Sequence, residues 1–196
     1  MTSGSINGQS VVFGYDALGR RTSGTFGGNR TDYWYDLTGL TRETGWAEVR
    51  YLRDPGGTPL SRNGGAGLYN YGRDRLGSTT ALVTTGQTLA NTYRYDPWGQ
   101  SIGTSGTTYN PFQFTGVYLD SATGLYRMTH RSYGPASGRF TQLDPLPRSI
   151  LDVNRYAYAG CNPANFVDPS GSLHGVVEVC AEDLSSGLDG GTADAG

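Results

Sequence analysis

Short runs of the chain alternate aromatic or apolar residues with polar ones, and an Asp followed within three residues by a Gly ends each run. The stretches "YWYD", "RYLRD" and "YRYD" show the pattern. Alternation with period two is typical of a half-buried β-strand, and tyrosine favours such a pleated surface. The Asp and Gly favour a tight turn, because Asp accepts hydrogen bonds from backbone N–H groups two residues on and Gly accepts positive φ. We therefore predict antiparallel hairpins.

The hairpin pattern repeats through the first half of the chain. The repeated Asp recurs at intervals of 20, 18, 20 and 22 residues, which fits one hairpin per unit. Stacked hairpins gain stability only when several lie side by side in one sheet. The predicted fold class is therefore all-β. The five repeated residues are Asp16, Asp36, Asp54, Asp74 and Asp96.

A second block begins at Asn110, where the period breaks. Its turn-forming residues divide it into predicted strands at 112–119, 125–133 and 139–143, and allow at most a short helical piece near residues 148–166. The aromatic residues at the junction, Trp98, Phe112 and Phe114, are expected to pack against the inner wall of the sheet.

Charge is distributed unevenly along the chain. Residues 1–168 hold all 15 Arg and 12 acidic residues, a net charge of +3, and the chain has no Lys. Residues 169–196 hold five acidic residues and no Arg, a net charge of −5. A net charge of +3 over residues 1–168 is too small to indicate a nucleic-acid partner. The composition changes at "VDPSGSLHG", where an Asp–Pro–x–Gly turn separates the two parts.

The rest of the sequence shows no pattern typical of a metal site, a membrane span or a signal peptide. Cys161 and Cys180 lack metal-site spacing and are expected to be free thiols, so we predict no cofactor and no metal. No apolar run approaches the ~20 residues of a membrane span. The first residues show no signal peptide.

Four motifs in the second block resemble the RHS/YD-repeat family: "NPFQFTG", "YLDSATGLYRM", "GRFTQLDP" and "RYAYAGCNPANFVDPSG". The repeats at about 10–110 are similar to the hairpins of this family. The resemblance implies a spiral sheet that walls a shell around a polypeptide cargo, and a core segment with a short helical piece that closes it. We expect a flexible start at 1–9, repeats at 10–109, the core at 110–172 and an acidic tail rich in Gly and Asp at 173–196.

The resemblance also implies a reaction. Toxin-like members of the family cut their own backbone just after the last Asp–Pro–x–Gly turn, by a pair of carboxylates that share one proton, as in aspartic proteases. The family's two Asp residues match Asp144 and Asp168, and its Arg matches Arg131. The cut falls after Ser172 or after Leu173. The tail is then the severed cargo, released by one self-cleavage.

Several alternatives stay open. Pro147 stands where the family has Gly, and Ser172 stands where the family usually has Leu. Ser172 and His174 suggest a serine route, although residues two apart in a turn rarely align a base on a nucleophile. A different class of function is a non-enzymatic surface module that has an inactive core and binds carbohydrate or a protein partner through exposed Tyr and Trp.

Five hairpins are too few for a closed shell of this family. The expected partners are therefore missing N-terminal shell repeats or another shell-forming chain, and open sheet edges predict self-association. The tail is too short for a folded toxin enzyme. We expect a secreted or cell-surface location, as part of a larger bacterial protein.

Overall fold

The computed structural model describes residues 2–6, 8–45, 47–65, 67–145 and 154–172. Its main feature is one antiparallel sheet of 11 strands in which each strand pairs with the next along the chain. This order confirms the predicted row of stacked hairpins. The strands are β1 (Thr2–Ile6), β2 (Gln9–Tyr15), β3 (Arg21–Phe26), β4 (Asn29–Asp36), β5 (Gly39–Thr44), β6 (Glu48–Arg53), β7 (Pro59–Gly64), β8 (Gly67–Arg73), β9 (Thr79–Thr84), β10 (Leu89–Tyr95) and β11 (Ser101–Ser105).

The five repeated Asp residues all occupy turns at the same end of the strands, a row called here the Asp rim. In the last of these turns, Asp96 Oδ1 accepts hydrogen bonds from the backbone N–H groups of Trp98 and Gln100, each at 2.9 Å. The Gly99 N–H donates to the Asp96 carbonyl at 3.0 Å, and Gly99 has φ of 82°. The Asp rim therefore forms by the local turn chemistry that the sequence predicts.

The described residues of the core segment, 110–145 and 154–172, pack against one face of the large sheet. Phe112 lies edge-on against Tyr51 of β6, with ring centroids 4.8 Å apart, and is 3% exposed. The buried Glu43 carboxylate of β5 accepts hydrogen bonds from the hydroxyls of Tyr51 and Tyr118, so a carboxylate joins sheet and core segment. The expected packing of Phe112 and Phe114 is confirmed. Trp98, in the last turn of the Asp rim, packs against the cluster of buried side chains that includes Phe114 and Tyr133.

The core segment contains a second antiparallel sheet, with strand order β12-β13-β14-β15. A 3-10 turn at Phe114–Gly116 precedes this sheet, and another at Ala159–Cys161 follows it. The second turn lies within the expected helical piece, although residues 146–153 lie outside the described part of the chain. The four strands are β12 (Tyr118–Asp120), β13 (Leu125–Arg127), β14 (Ser132–Gly134) and β15 (Arg139–Phe140).

The strand boundaries predicted for the core segment are wrong. The chain turns within 112–119, because Thr115 adopts φ of 49° and Phe112 bridges back to Tyr118. The run 125–133 is a hairpin and not one strand: the Met128 N–H donates to the Arg131 carbonyl at 3.1 Å, and β13 pairs with β14. The third strand has two residues. The first two differences arise where tight turns form without the Pro, Asn or Asp that usually marks them.

The start of the chain also differs from expectation. Within 1–9, expected to be a flexible start, Thr2–Ile6 forms β1 and pairs antiparallel with β2. Its side chains are almost all exposed, so backbone hydrogen bonds account for its position. β1 and β11 are the two edge strands of the large sheet. Within the described ranges, no helix has the length and apolar character needed to cross a bilayer.

Candidate functional site

The residues implied as catalytic come from three separate places in the core segment. Arg131 lies at the end of the turn that leads into β14, Asp144 follows β15, and Asp168 begins the last Asp–Pro–x–Gly turn. The Asp144 N–H donates to the Arg155 carbonyl at 3.1 Å, and the Arg155 guanidinium donates back to the Asp144 carbonyl. Backbone pairing thus holds Asp144 beside the chain that leads to Asp168.

A single nitrogen of Arg131 contacts both carboxylates. Arg131 Nη2 lies 3.0 Å from Asp144 Oδ2 and 3.2 Å from Asp168 Oδ2. The three side chains are at most 1% exposed. Buried charges of this kind are stable only when they are paired and hydrogen-bonded. The single positive charge of Arg131 therefore lies between two buried carboxylates that are far apart in the sequence.

The other donors of Arg131 hold neighbouring backbone. Nε donates to the Gly171 carbonyl, and Nη1 donates to the Arg155 carbonyl at 3.1 Å. The guanidinium carbon lies 3.6 Å from the ring centroid of Phe140, which covers one face of the group. Arg131 is therefore fixed by hydrogen bonds and stacking, in the planar geometry that only arginine offers.

Asp168 connects this ion pair to the turn that ends at Ser172. Its Oδ1 accepts hydrogen bonds from the N–H groups of Gly171, at 2.8 Å, and Ser172, at 3.2 Å, and from the Ser170 hydroxyl at 3.0 Å. Gly171 has φ of 68°, and a Cβ there would lie 3.2 Å from the Arg131 backbone nitrogen. Oδ1 thus holds the turn while Oδ2 contacts Arg131.

His130 is a contact residue that sequence reasoning did not identify. Its backbone N–H donates to the Ser170 carbonyl at 2.9 Å, and its Nδ1 lies 3.0 Å from the same oxygen. A carbonyl oxygen only accepts, so Nδ1 carries the proton in this contact. His130 and Arg131 therefore hold the consecutive carbonyls of Ser170 and Gly171. The available signal was the position of His130 next to the implied Arg.

Tyr158 is a second residue that the sequence did not single out. It is fully buried, and its ring lies 4.3 Å, centroid to centroid, from that of Tyr133. Burial raises the pKa of this phenol, and interactions of its hydroxyl with the Asp168 backbone and the Thr115 side chain partly offset the rise. Tyr158 packs with Phe140, the ring that covers Arg131, and so belongs to the wall behind the site.

The remaining predicted residues are placed in part. Ser172 is half-buried, and its hydroxyl lies 3.3 Å from that of Ser170. Leu173, His174 and Cys180 lie outside the described residues, so the structure does not place the possible serine pair. Cys161 is an exposed free thiol. The described part of the chain contains no cluster of three or more His, Cys, Asp or Glu side chains arranged to hold a metal.

A meander of Asp-turn hairpins that packs on an aromatic core segment defines a YD-repeat shell protein. The family model described as Teneurin YD-shell matches residues 62–163, about half of the chain, and the chain belongs to this family. This result confirms the resemblance inferred from the motifs.

The chain is also similar to several curated proteins, but spans a small part of each. It is 35% identical over 173 residues to the tRNA3(Ser)-specific nuclease WapA of Bacillus spizizenii, an alignment with 82% of this chain and 7% of the relative. It is 28% identical over 200 residues to the double-stranded DNA deaminase toxin A of Burkholderia cenocepacia, with 81% of this chain and 14% of the relative.

Solved structures show the same fold. The crystal structure of TcdB2-TccC3-TEV superposes with a TM-score of 0.67 at 20% identity, and covers 85% of this chain and 9% of that one. The Tc holotoxin pore of Photorhabdus luminescens gives a TM-score of 0.64 at 19% identity, with 86% and 9% covered. The chain therefore has the fold of a small segment of a Tc toxin shell.

Proposed function

We propose that this chain is the closing segment of an RHS-type encapsulating shell and that it cuts its own backbone just after the Asp168 turn. The observation that carries the proposal is the contact of one Arg131 nitrogen with both Asp144 and Asp168 at the turn that ends at Ser172. The fold, shared with the Tc toxin shell, supplies the setting. In this assignment residues 10–109 are shell wall, 110–172 form the closing core, and 173–196 are cargo.

The proposed reaction is hydrolysis of one peptide bond by two carboxyl groups. The ionised carboxylate accepts a proton from water while the water oxygen bonds to the carbonyl carbon of Ser172 or Leu173. The protonated partner donates its proton to the carbonyl oxygen. The C–N bond then breaks, the leaving amine takes a proton, and a new carboxyl terminus remains. Arg131 orients both carboxylates and is a positioning residue.

The experiment is intact-mass measurement of the purified chain with time. We expect a body that ends at Ser172 or Leu173 and one small acidic peptide, formed at a rate independent of protein concentration, because the bond and its catalysts belong to one chain. Asp144→Asn and Asp168→Asn should each leave the chain full length, since an amide keeps the shape but does not shuttle the proton.

A matched control comes from another buried ion pair. Asp120 pairs with Arg21, and both side chains are 9% exposed. Asp120→Asn also removes one buried carboxylate beside an arginine, but lies outside the proposed site, so this variant should still cut. If Asp168→Asn cuts near residue 172 and Ser172→Ala does not, the serine route replaces the carboxylate mechanism.

An intact unmodified chain would favour the non-enzymatic alternative. Trp34 of β4 is 38% exposed and stacks against the Arg42 guanidinium at 4.0 Å, a surface that suits a carbohydrate or protein partner. On either alternative we propose that the chain belongs to a larger secreted or cell-surface bacterial protein, whose remaining repeats pair with the sheet edges.

A further inference from the structure

A cavity of about 830 Å³ lies between the Asp rim and the core segment. Its walls include the turns at Gly19, Gly39, Gly57 and Gly77 on the sheet side, and Thr129 to Ser132 on the core side. Arginines project from both walls. The five arginines that line the cavity are Arg20, Arg21, Arg53, Arg127 and Arg131.

Three of these arginines have carboxylate partners. Arg20 pairs with Asp16 and Arg21 pairs with Asp120, while Arg131 contacts the proposed catalytic pair. Asp36 also lines the cavity and attracts Arg53 electrostatically without forming a direct ion pair with it.

Arg53 and Arg127 have no carboxylate within salt-bridge distance among the described residues. Arg53 donates to the carbonyls of Leu40 and Gly57, and burial lowers the pKa of its guanidinium. Arg127 stacks on the rings of Tyr33, at 5.0 Å, and Tyr118, at 4.2 Å, and its side chain also interacts with the Tyr35 hydroxyl. Among the described residues, its buried Nη1 has no hydrogen-bond partner. A half-buried guanidinium without a directly paired carboxylate is stabilised by an added anion, and Arg127 gains more than Arg53 because Asp36 already attracts Arg53.

The chain leaves the last turn beside this cavity. Pro169, His130 and Arg131 line it, and Gly171 lies against Met128, which also lines it. Beyond Ser172 the sequence carries five acidic residues and no Lys or Arg. The first of them, Glu178, follows Ser172 by six residues, a reach of about 20 Å when extended. A segment of this length can therefore extend from the last turn into the cavity that the turn borders.

We propose that this cavity is a binding site for the acidic segment 178–183 of the same chain, whose carboxylates pair with Arg53 and Arg127. The inference goes beyond the proposed cleavage, because the binding needs no broken bond: an uncut chain docks its own tail, and a cut chain retains the peptide. The occupant follows from charge complementarity, since residues 1–168 carry every arginine and the only charged side chains of the tail are five carboxylates.

The reaction rate of the Cys180 thiol tests the proposal on the full chain. Cys180 lies between Glu178 and Glu182, and a Cys161→Ser background removes the other thiol. With a soluble aromatic disulfide as probe, we expect Cys180 to react at least about fivefold more slowly than in a free 173–196 peptide, because several partly exposed ion pairs hold the segment. Salt at about 0.5 M should restore most of the rate. A native rate equal to the peptide rate, or protection unchanged by salt, overturns the proposal.

Variants then locate the contact. Arg53→Gln with Arg127→Gln should raise the Cys180 rate several-fold, as should Glu178→Gln with Glu182→Gln and Asp183→Asn. The matched controls remove the same charge from exposed arginines, Arg75→Gln with Arg94→Gln, and should leave the rate unchanged. Equal effects of the cavity and control pairs contradict the assignment. Circular dichroism checks the fold of each variant, and the tail variants test the same contact without altering the core.

Intact-mass measurement of the same samples shows whether the chain has been cut. Protection of Cys180 in a chain that never cuts supports the docking site and contradicts the proposed cleavage. A chain that cuts, but whose tail peptide separates from the body on gel filtration at low salt, contradicts the docking site and leaves the cleavage standing.

Discussion

Arg131 uses its donors on groups that lie far apart in the sequence. Its Nε bonds to Gly171, 40 positions away, its Nη1 bonds to Arg155, and its Nη2 contacts both carboxylates. A lysine at this position offers one nitrogen and cannot reproduce the planar set. The structure therefore gives a physical reason why the site holds arginine.

His130 donates to the Ser170 carbonyl, which directly precedes the Gly171 carbonyl held by Arg131, and this role is testable. Asn places its side-chain nitrogen close to the position of Nδ1, whereas Gln places its nitrogen close to that of Nε2. We expect His130→Asn to cut at nearly the native rate, and His130→Gln and His130→Ala to cut about tenfold more slowly, because the Ser170 carbonyl loses one of its two donors.

The measurement is the first-order rate of the new mass species, with thermal unfolding as the control. If Asn and Gln variants of equal stability cut equally slowly, the Nδ1 contact does not position the turn. If all three variants cut at the native rate, the contact is dispensable.

The sequence alone could not bring the candidate site together. Asp144, Asp168 and Arg131 emerged from the family resemblance, because their spacing along the chain has no local periodicity. His130 and Tyr158 were missed for the same physical reason: their partners lie across the fold. Ser170 is 40 positions from His130, and no short window contains both.

At the scale of elements, prediction succeeded where the chemistry is local. Each turn of the Asp rim follows from an Asp and a Gly a few residues apart, so the repeated hairpins were predictable. The turn at Thr129 and His130 was not, since neither residue is a usual turn former and the His130 N–H bonds to the distant Ser170. Long-range contacts therefore set the boundaries of the core strands.

Two glycines at equivalent positions of the Asp rim allow the cost of backbone strain to be compared with the cost of overpacking. Gly19 and Gly99 have φ of 75° and 82°, but a Cβ on Gly19 meets nothing within 4 Å, whereas one on Gly99 meets Phe114 at 2.4 Å. We expect Gly19→Ala to lower the free energy of unfolding by about 1–2 kcal/mol. Gly99→Ala should cost a further ~1–3 kcal/mol, because it overpacks the core.

Urea unfolding of the two variants gives the comparison. Equal losses of stability would show that Phe114 moves aside without cost and that the last Asp turn does not fix the core segment.

At the scale of the whole molecule, the two edge strands of the large sheet determine how the chain associates with other chains. Within the described residues, β1 and β11 each have one edge that pairs with no other strand, and the side chains of β1 are nearly all exposed. Such edges pair readily with other strands. Because the chain spans 9% of the TcdB2-TccC3-TEV chain that it matches, the remaining repeats of a longer protein are the proposed neighbours.

Self-association through these edges should therefore increase with concentration. Ser3→Lys with Ser5→Lys places two charges on β1 and should shift light scattering toward the monomer. The control, Leu52→Lys with Leu68→Lys, adds the same charge at exposed positions of central strands and should change little. A monomer at all concentrations, or equal effects of both pairs, contradicts edge pairing.

The contact of one guanidinium with two distant carboxylates also has a consequence in time. Arg131, Asp144 and Asp168 meet only after the core segment has formed β14 and β15 and the last turn has docked on His130. During synthesis the last of the three residues emerges after the other two, so a nascent chain holds no assembled site. The proposed cleavage therefore begins only when the core segment has folded. A chain whose folding stops before that point keeps its tail attached.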